Sequence, residues 1–154
     1  MSAAGPALPA AFQGLVDDFT ALEKQDRLQL LLELSRELPA LPDRLADHPE
    51  LLEPVPECQS PIFLHVDVAG TGPDAGVELH FSAPPEAPTT RGFAAILAEG
   101  LAGLSAAEVA RVPADVTTRL GLAEVVSPLR LNGMAGMLAR VQRQVREKAE
   151  LPRG

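Results

Sequence analysis

The chain has 154 residues, 46% of them hydrophobic and 22% charged, which suits one soluble domain. Thirteen Lys and Arg against 21 Asp and Glu leave a net charge of −8, which repels phosphate backbones and anionic lipid and argues against nucleic-acid and membrane partners. One cysteine excludes an internal disulfide and any Cys-rich metal site built by this chain alone.

Residues Met1–Pro9 are small and Pro-containing, and read as a loose tail. No basic residue precedes Lys24 and no apolar run is long enough to span a bilayer, so the expectation is a cytoplasmic protein with a reduced thiol. Phe12, Leu15, Val16, Phe19 and Leu22 recur at helical spacing. A second helix is expected from an Asp26 cap, burying Leu28, Leu31, Leu32 and Leu38 with Ser35 on the same stripe, and stopping at Pro39. Recurrent prolines from Pro39 to Pro61 permit at most a short edge strand near Leu52–Glu57.

The clearest strand signal follows. Ile62, Leu64, Val66 and Val68 alternate with Phe63, His65 and Asp67; beyond a Gly-rich turn, Val77, Leu79 and Phe81 alternate with Glu78 and His80. Pairing Val66 with Leu79 puts the aliphatic residues on one face of an antiparallel hairpin. Thr89 or Thr90 is the expected cap of a helix through Phe93, Ile96, Leu97 and Leu101. Ser105-Ala-Ala-Glu108 is a capping box, and Ser127-Pro128 opens a last helix with Leu131, Met134, Met137, Leu138, Val141 and Val145 on one stripe and a basic end (Arg140, Arg143, Arg146, Lys148). The order predicts an α+β fold, a single domain with helices packed on one face of a small antiparallel sheet.

Four groups of residues could carry chemistry. Cys58 sits in Pro56-Glu57-Cys58-Gln59-Ser60-Pro61, a loop where a thiol is reachable, although a free cysteine is as often a small buried hydrophobe. No His adjoins it, and Glu57 raises rather than lowers its pKa. Arg91, expected in a first helical turn, is either an anion site together with the free amides there or an ordinary surface arginine. His65 and His80 share the polar face of the hairpin with Asp67 and Glu78; a solvated face fits them better than a metal site. A Cys–His hydrolase using Cys58 and His65 stays open as an alternative, as does an adaptor in which Cys58 is structural. Gly70, Gly72 and Gly76 join two strands and read as turns, not as a phosphate loop.

Three segments in order resemble the SufE family of sulfur acceptors. Val55-Pro-Glu-Cys58-Gln59-Ser60-Pro-Ile-Phe63-Leu is similar to Val-x-Gly-Cys-Gln-Ser-x-Val-Trp; Thr90-Arg91-Gly92-Phe93 is similar to Val-Arg-Gly-Leu; and Leu120-Gly121-Leu122 with Ser127-Pro128-Leu129-Arg130-Leu131-Asn132-Gly133-Met134 is similar to Leu-Gly-Leu…Leu-Ser-x-x-Arg-x-Asn-Gly-Leu. A fourth, weaker segment is Asp26-Arg27-Leu28 with Glu33-Leu34…Leu38-Pro39-x-Leu41-Pro42. Glu57 and Phe63 stand at positions where the pattern has glycine and tryptophan, and a glycine at 57 could serve a positive φ.

The resemblance implies a SufE/NifU-like fold with a three-stranded sheet, and a carrier rather than an enzyme. Cys58 would take persulfide sulfur from a pyridoxal-phosphate-dependent, SufS-like cysteine desulfurase, stimulate that enzyme, and deliver the sulfur to an iron–sulfur scaffold of the SufBCD or SufU type. It implies no cofactor or metal resident in this chain, and a monomer or weak homodimer. It places Glu57, Gln59, Ser60 and Arg91 near the thiol and gives Arg130, Asn132 and Gly133 a structural part in bracing the last helix. A shallow apolar pocket would shelter the persulfide at rest, with docking drawing the loop outward between Pro56 and Pro61. A related acceptor in a different sulfur pathway is the alternative.

Overall fold

The computed structural model describes residues 7–152. Helix α1 (Ala10–Thr20) buries Phe12, Leu15, Val16 and Phe19, the stripe that the spacing predicts. Helix α2 (Lys24–Ser35) follows, then a one-turn helix α3 (Asp43–Ala46) and a two-residue strand β1 (Glu53–Pro54) in the proline-rich stretch. Strands β2 (Phe63–Ala69) and β3 (Gly76–Ser82) form the hairpin, paired as Val66 with Leu79. The sheet order is β1-β2-β3, all antiparallel, with β1 touching β2 only through Glu53–Leu64 and Pro54–Phe63. Helix α4 (Pro88–Gly100), short helices α5 (Ala106–Ala110) and α6 (Val116–Arg119), and the long α7 (Pro128–Lys148) complete the α+β fold. Both predicted caps form: Ser105 and Glu108 close a reciprocal capping box, and Ser127 Oγ accepts from the Arg130 N–H with Pro128 at the first helical position.

Helix α7 packs on β2 and finishes its hydrogen bonding. Because β1 begins only at Glu53, opposite Leu64, the outward N–H and C=O of Val66 have no strand opposite them among the described residues. Gln144 Oε1 accepts from Val66 N–H (3.0 Å) and Lys148 Nζ donates to Val66 O. Buried Gln142 likewise donates to Val109 O, which also accepts the Val112 N–H, and to Val112 O, tying the end of α5 to α7. The distant motif segments also meet: Arg27 donates to Phe19 O, Leu22 O and Gly121 O and pairs with Glu124. Gly121 has φ +70°, and a Cβ there would lie 2.9 Å from that guanidinium, so the Leu-Gly-Leu segment and the Asp-Arg-Leu segment form one joint.

Three expectations are corrected. Helix α2 starts at Lys24, with Asp26 inside its first turn and not at the cap, and ends at Ser35; its buried stripe is Leu31, Leu34 and Ser35, with Leu38 beyond the helix, while Leu28 is exposed and Leu32 only half-buried. Leucines at 28, 30, 31, 32 and 34 fill every helical phase, and the crossing with α4 decides among them: a Cβ on Gly92 would lie 2.6 Å from Leu31 Cδ1 and 2.7 Å from Leu31 O. Helix α4 begins not at a threonine cap but at Pro88, with Ala87 before it; proline's fixed φ suits the first helical position, and Thr90 is buried. Of the expected tail, Met1–Pro6 lies outside the described residues, while Leu8 already packs on the core.

Candidate functional site

Cys58 ends a 3-10 turn, Pro56–Cys58, and Gln59 then takes a left-handed conformation (φ +60°) that reverses the chain. The positive φ therefore falls at Gln59; at 57 the backbone is 3-10, which any residue adopts, so glutamate fits there without strain. The loop hangs between two buried anchors. Val55 and Ile62 are each 1% exposed, and Val55 N–H donates to Ile62 O at 3.1 Å. The segment from Pro56 to Pro61 projects from that clamp onto α7.

Two glycines of α7 make room for it. A Cβ on Gly133 would lie 3.0 Å from Cys58 Sγ and 3.1 Å from its Cα. A Cβ on Gly136 would lie 3.0–3.2 Å from the Glu57 side chain. Gly133, Gly136 and Arg140 recur at i, i+3 and i+7, so they lie along one face of α7. Arg140 Nη2 donates to Glu57 Oε1 at 2.7 Å, and its Nη1 is 3.7 Å from Glu53 Oε2. Glu53 is held separately by Arg143 and by Gln144 Nε2 (2.8 Å). Burial opposes its ionisation, and these bonds more than offset that, holding the carboxyl below the usual glutamate range. Arg140 Nε is buried with no hydrogen-bond partner among the described residues.

The thiol at the centre is half-buried. Burial first, and the adjacent Glu57 carboxylate second, push its pKa up to about 11, while Arg140 pulls the other way. The seat therefore favours the protonated thiol at neutral pH, and both burial and the Glu57 carboxylate oppose the thiolate.

The remaining sequence-selected residues fall in three places. Gln59 is exposed, and Ser60, half-buried, gives its carbonyl to Ile62 N–H (2.7 Å). Arg91 is tied elsewhere: Nε donates to Ser35 O (3.2 Å) and Nη1 to Ala83 O (2.7 Å), joining the end of α2 to the segment before α4. The charged groups that act on Cys58 are Glu57 and Arg140, not Arg91. Arg130 and Asn132 are exposed, and Arg130 is held through its backbone N–H, which donates to Ser127 Oγ. Ser127 caps the start of α7.

The histidines belong to the opposite face of the sheet. Asp67 lies between His65 Nε2 (3.0 Å) and His80 Nε2 (2.9 Å) and pairs with Arg44 of α3. Burial there is outweighed by bonds from Arg44, His80 and His65, which take the Asp67 pKa down to about 2. Asp67, Glu78 and His80 bring donor atoms within 4.8 Å of one another, with the Arg44 guanidinium already on Asp67. His65 has its Nδ1 3.2 Å from Leu51 O and its Nε2 on Asp67, so it orients no thiol, and the Cys58–His65 hydrolase geometry is not formed. Among the described residues no helix is long and apolar enough to cross a membrane.

Residues 13–145, from α1 through most of α7, match the family model described as "SufE: Fe-S metabolism associated domain". The chain belongs to the SufE family. It is 57% identical over 140 residues to an uncharacterised SufE-like protein of Mycobacterium tuberculosis, covering 91% of this chain and 94% of that one. It is 31% identical over 111 residues to the sulfur acceptor protein CsdE of Escherichia coli, covering 71% and 70%. A solution structure of a hypothetical protein from Thermus thermophilus superposes with a TM-score of 0.79 at 40% identity, covering 95% of this chain and all of that one. Within this SufE fold, sequence reasoning passed over Gly136 and Arg140. The available signal was a pair of glycines, three apart, inside an otherwise strong helical stripe, which marks a close approach of something to that face.

Proposed function

We propose that this protein is a sulfur acceptor and carrier that takes sulfur onto Cys58 from a cysteine desulfurase, stimulating that enzyme, and hands it to an iron–sulfur scaffold. The observation that carries the reading is the seat of Cys58: a solitary thiol on a loop clamped at Val55 and Ile62, parked protonated against Gly133. A carrier needs this combination, unreactive toward stray electrophiles at rest and movable as a unit when a partner docks. Membership of the family and the sulfur-acceptor name of CsdE support it.

The chemistry is thiol exchange through sulfane sulfur. Cys58 loses its proton to water and, as thiolate, attacks the terminal sulfur of the donor's persulfide. The Cys58 S–S bond forms as the donor's S–S bond breaks, and the donor leaves as thiolate. No net oxidation occurs, and with one cysteine in the chain no internal thiol discharges the product as a disulfide. Pyridoxal phosphate belongs to the donor enzyme; this chain needs no resident cofactor or metal for the step.

The docking surface is the exposed start of α7 beside the loop. Leu129, 53% exposed, lies one turn before Gly133, and Arg130 and Asn132 on the same turn of helix are exposed, as is Gln59 on the loop. The protein works as a single domain in the cytoplasm, as a monomer or weak homodimer. The test is desulfurase turnover. Wild type raises alanine release from free cysteine by a cognate desulfurase, and Cys58→Ser does not; equal stimulation by both proteins would refute the reading.

A further inference from the structure

We propose that Arg140 is the anion-binding residue for sulfur carried on Cys58, and that Glu57 occupies it at rest as a latch that holds the loop on α7. The proposal rests on the sulfur-acceptor reading and assigns a partner for the terminal sulfur within this chain. Side chains on a helix lean toward its N-terminus, so the Arg140 guanidinium reaches back along the Gly136–Gly133 groove toward the thiol. The groove has no Cβ atoms to obstruct it, and the Glu57 side chain now lies in it.

Two features show that the pairing is made to be exchanged. Arg140 gives Nη2 to Glu57 at 2.7 Å, yet its buried Nε donates to nothing among the described residues. Arg91, built into a fixed joint, fills donors on two sides with carbonyls at 3.2 and 2.7 Å, whereas the second contact of Arg140, Nη1 to Glu53 Oε2, is long at 3.7 Å. Glu53, the next carboxylate along the loop strand, is already held by Arg143 and Gln144, so freeing Arg140 leaves no carboxylate of β1 without a partner. Space points the same way. Sγ lies so close to Gly133 that a second sulfur, about 2 Å further out, has no room against the helix and must lie along the groove or away from it. Along the groove it takes the place of the Glu57 carboxylate and meets the Arg140 Nη2 that the carboxylate gives up. One anion replaces another; no bond to Arg140 forms and no electrons move.

The test needs no desulfurase, so its failure is distinguishable from failure of the carrier reading. Cys58 of the full chain is alkylated with iodoacetamide across pH in wild type, Glu57→Gln, Arg140→Gln and the double variant. Separately, Cys58 is loaded with sulfur from inorganic polysulfide and its retention followed by intact mass. Glu57→Gln alkylates about tenfold faster than wild type near pH 8, with its midpoint shifted down. The double variant loses that downward shift. Arg140→Gln sheds the carried sulfur several times faster than wild type, while Glu57→Gln keeps it. Arg140→Lys, which preserves the charge and folds if the glutamine variant does not, retains sulfur better than Arg140→Gln. Unchanged alkylation in Glu57→Gln, or sulfur retention that does not depend on residue 140, would overturn the proposal.

Discussion

Helices α4 and α7 each carry a glycine against a neighbouring element and an arginine on the same helix, and they use them in opposite ways. At α4, Gly92 meets the backbone carbonyl of Leu31, and Arg91 spends two donors on backbone carbonyls of two different segments. At α7, Gly133 meets a cysteine on a loop, and Arg140 has one carboxylate on that same loop and one unused donor. The first region is tied to backbone on two sides, and the second is held to its loop through side chains. The same residue types give either result, depending on whether the surface they meet is the backbone of a packed helix or a loop hung between two anchors.

The largest effect that sharpens this contrast is Gly92→Ala. The new methyl would sit 2.7 Å from a carbonyl that cannot move without shifting α2, so it costs about 3 kcal/mol. The expected loss in melting temperature is about 6–12 °C for a domain of this size, with the Cys58 alkylation midpoint unchanged. Next is Arg91→Ala, which leaves Ser35 O and Ala83 O without their charged donor and costs about 2 kcal/mol, read by urea unfolding. Sulfur acceptance falls only as far as the folded fraction falls; a specific loss of acceptance at full stability would return Arg91 to the site.

Gly133→Ala breaks the contrast from the other side. The methyl displaces a loop instead of a helix, so the cost is about 1 kcal/mol or less, while Cys58 alkylates about tenfold faster as it leaves its seat. The smallest effects are those of pH. The Cys58 pKa is raised in the fold, so its contribution to stability is complete below the ordinary cysteine value near 8.5 and is lost as pH rises through about 11. The Asp67 pKa is depressed, so its contribution is present above about 4 and is lost as pH falls through about 2. Chemical unfolding at pH 7, 10 and 11.5, with Cys58→Ser as reference, isolates the alkaline arm.

Local patterns made much of the fold legible before any coordinates. A strict two-residue alternation admits one register, and Val66 pairs with Leu79 because a slip of one residue would expose every aliphatic side chain. Capping signals at Ser105 and Ser127 are short-range and held for that reason. The phase of α2 was not legible, since its leucines satisfy several stripes and only contact with Gly92 selects one. The thiol was legible from its loop and motif. Its cationic neighbour was not, because Arg91 and Arg140 are equally plausible as isolated arginines and only tertiary structure brings residue 140, more than eighty positions away, onto Glu57. The glycines at 133 and 136 were the one local trace of that contact.

The central claim is that Cys58 accepts sulfur. The most direct measurement is intact-protein mass spectrometry after incubation with a cysteine desulfurase, pyridoxal phosphate and free cysteine, with wild type and Cys58→Ser side by side. The predicted result is a gain of one sulfur atom on wild type, removed by reductant and missing from the serine variant. No gain on wild type with any cognate desulfurase, while Cys58 still reacts with alkylating agents at high pH, would contradict it.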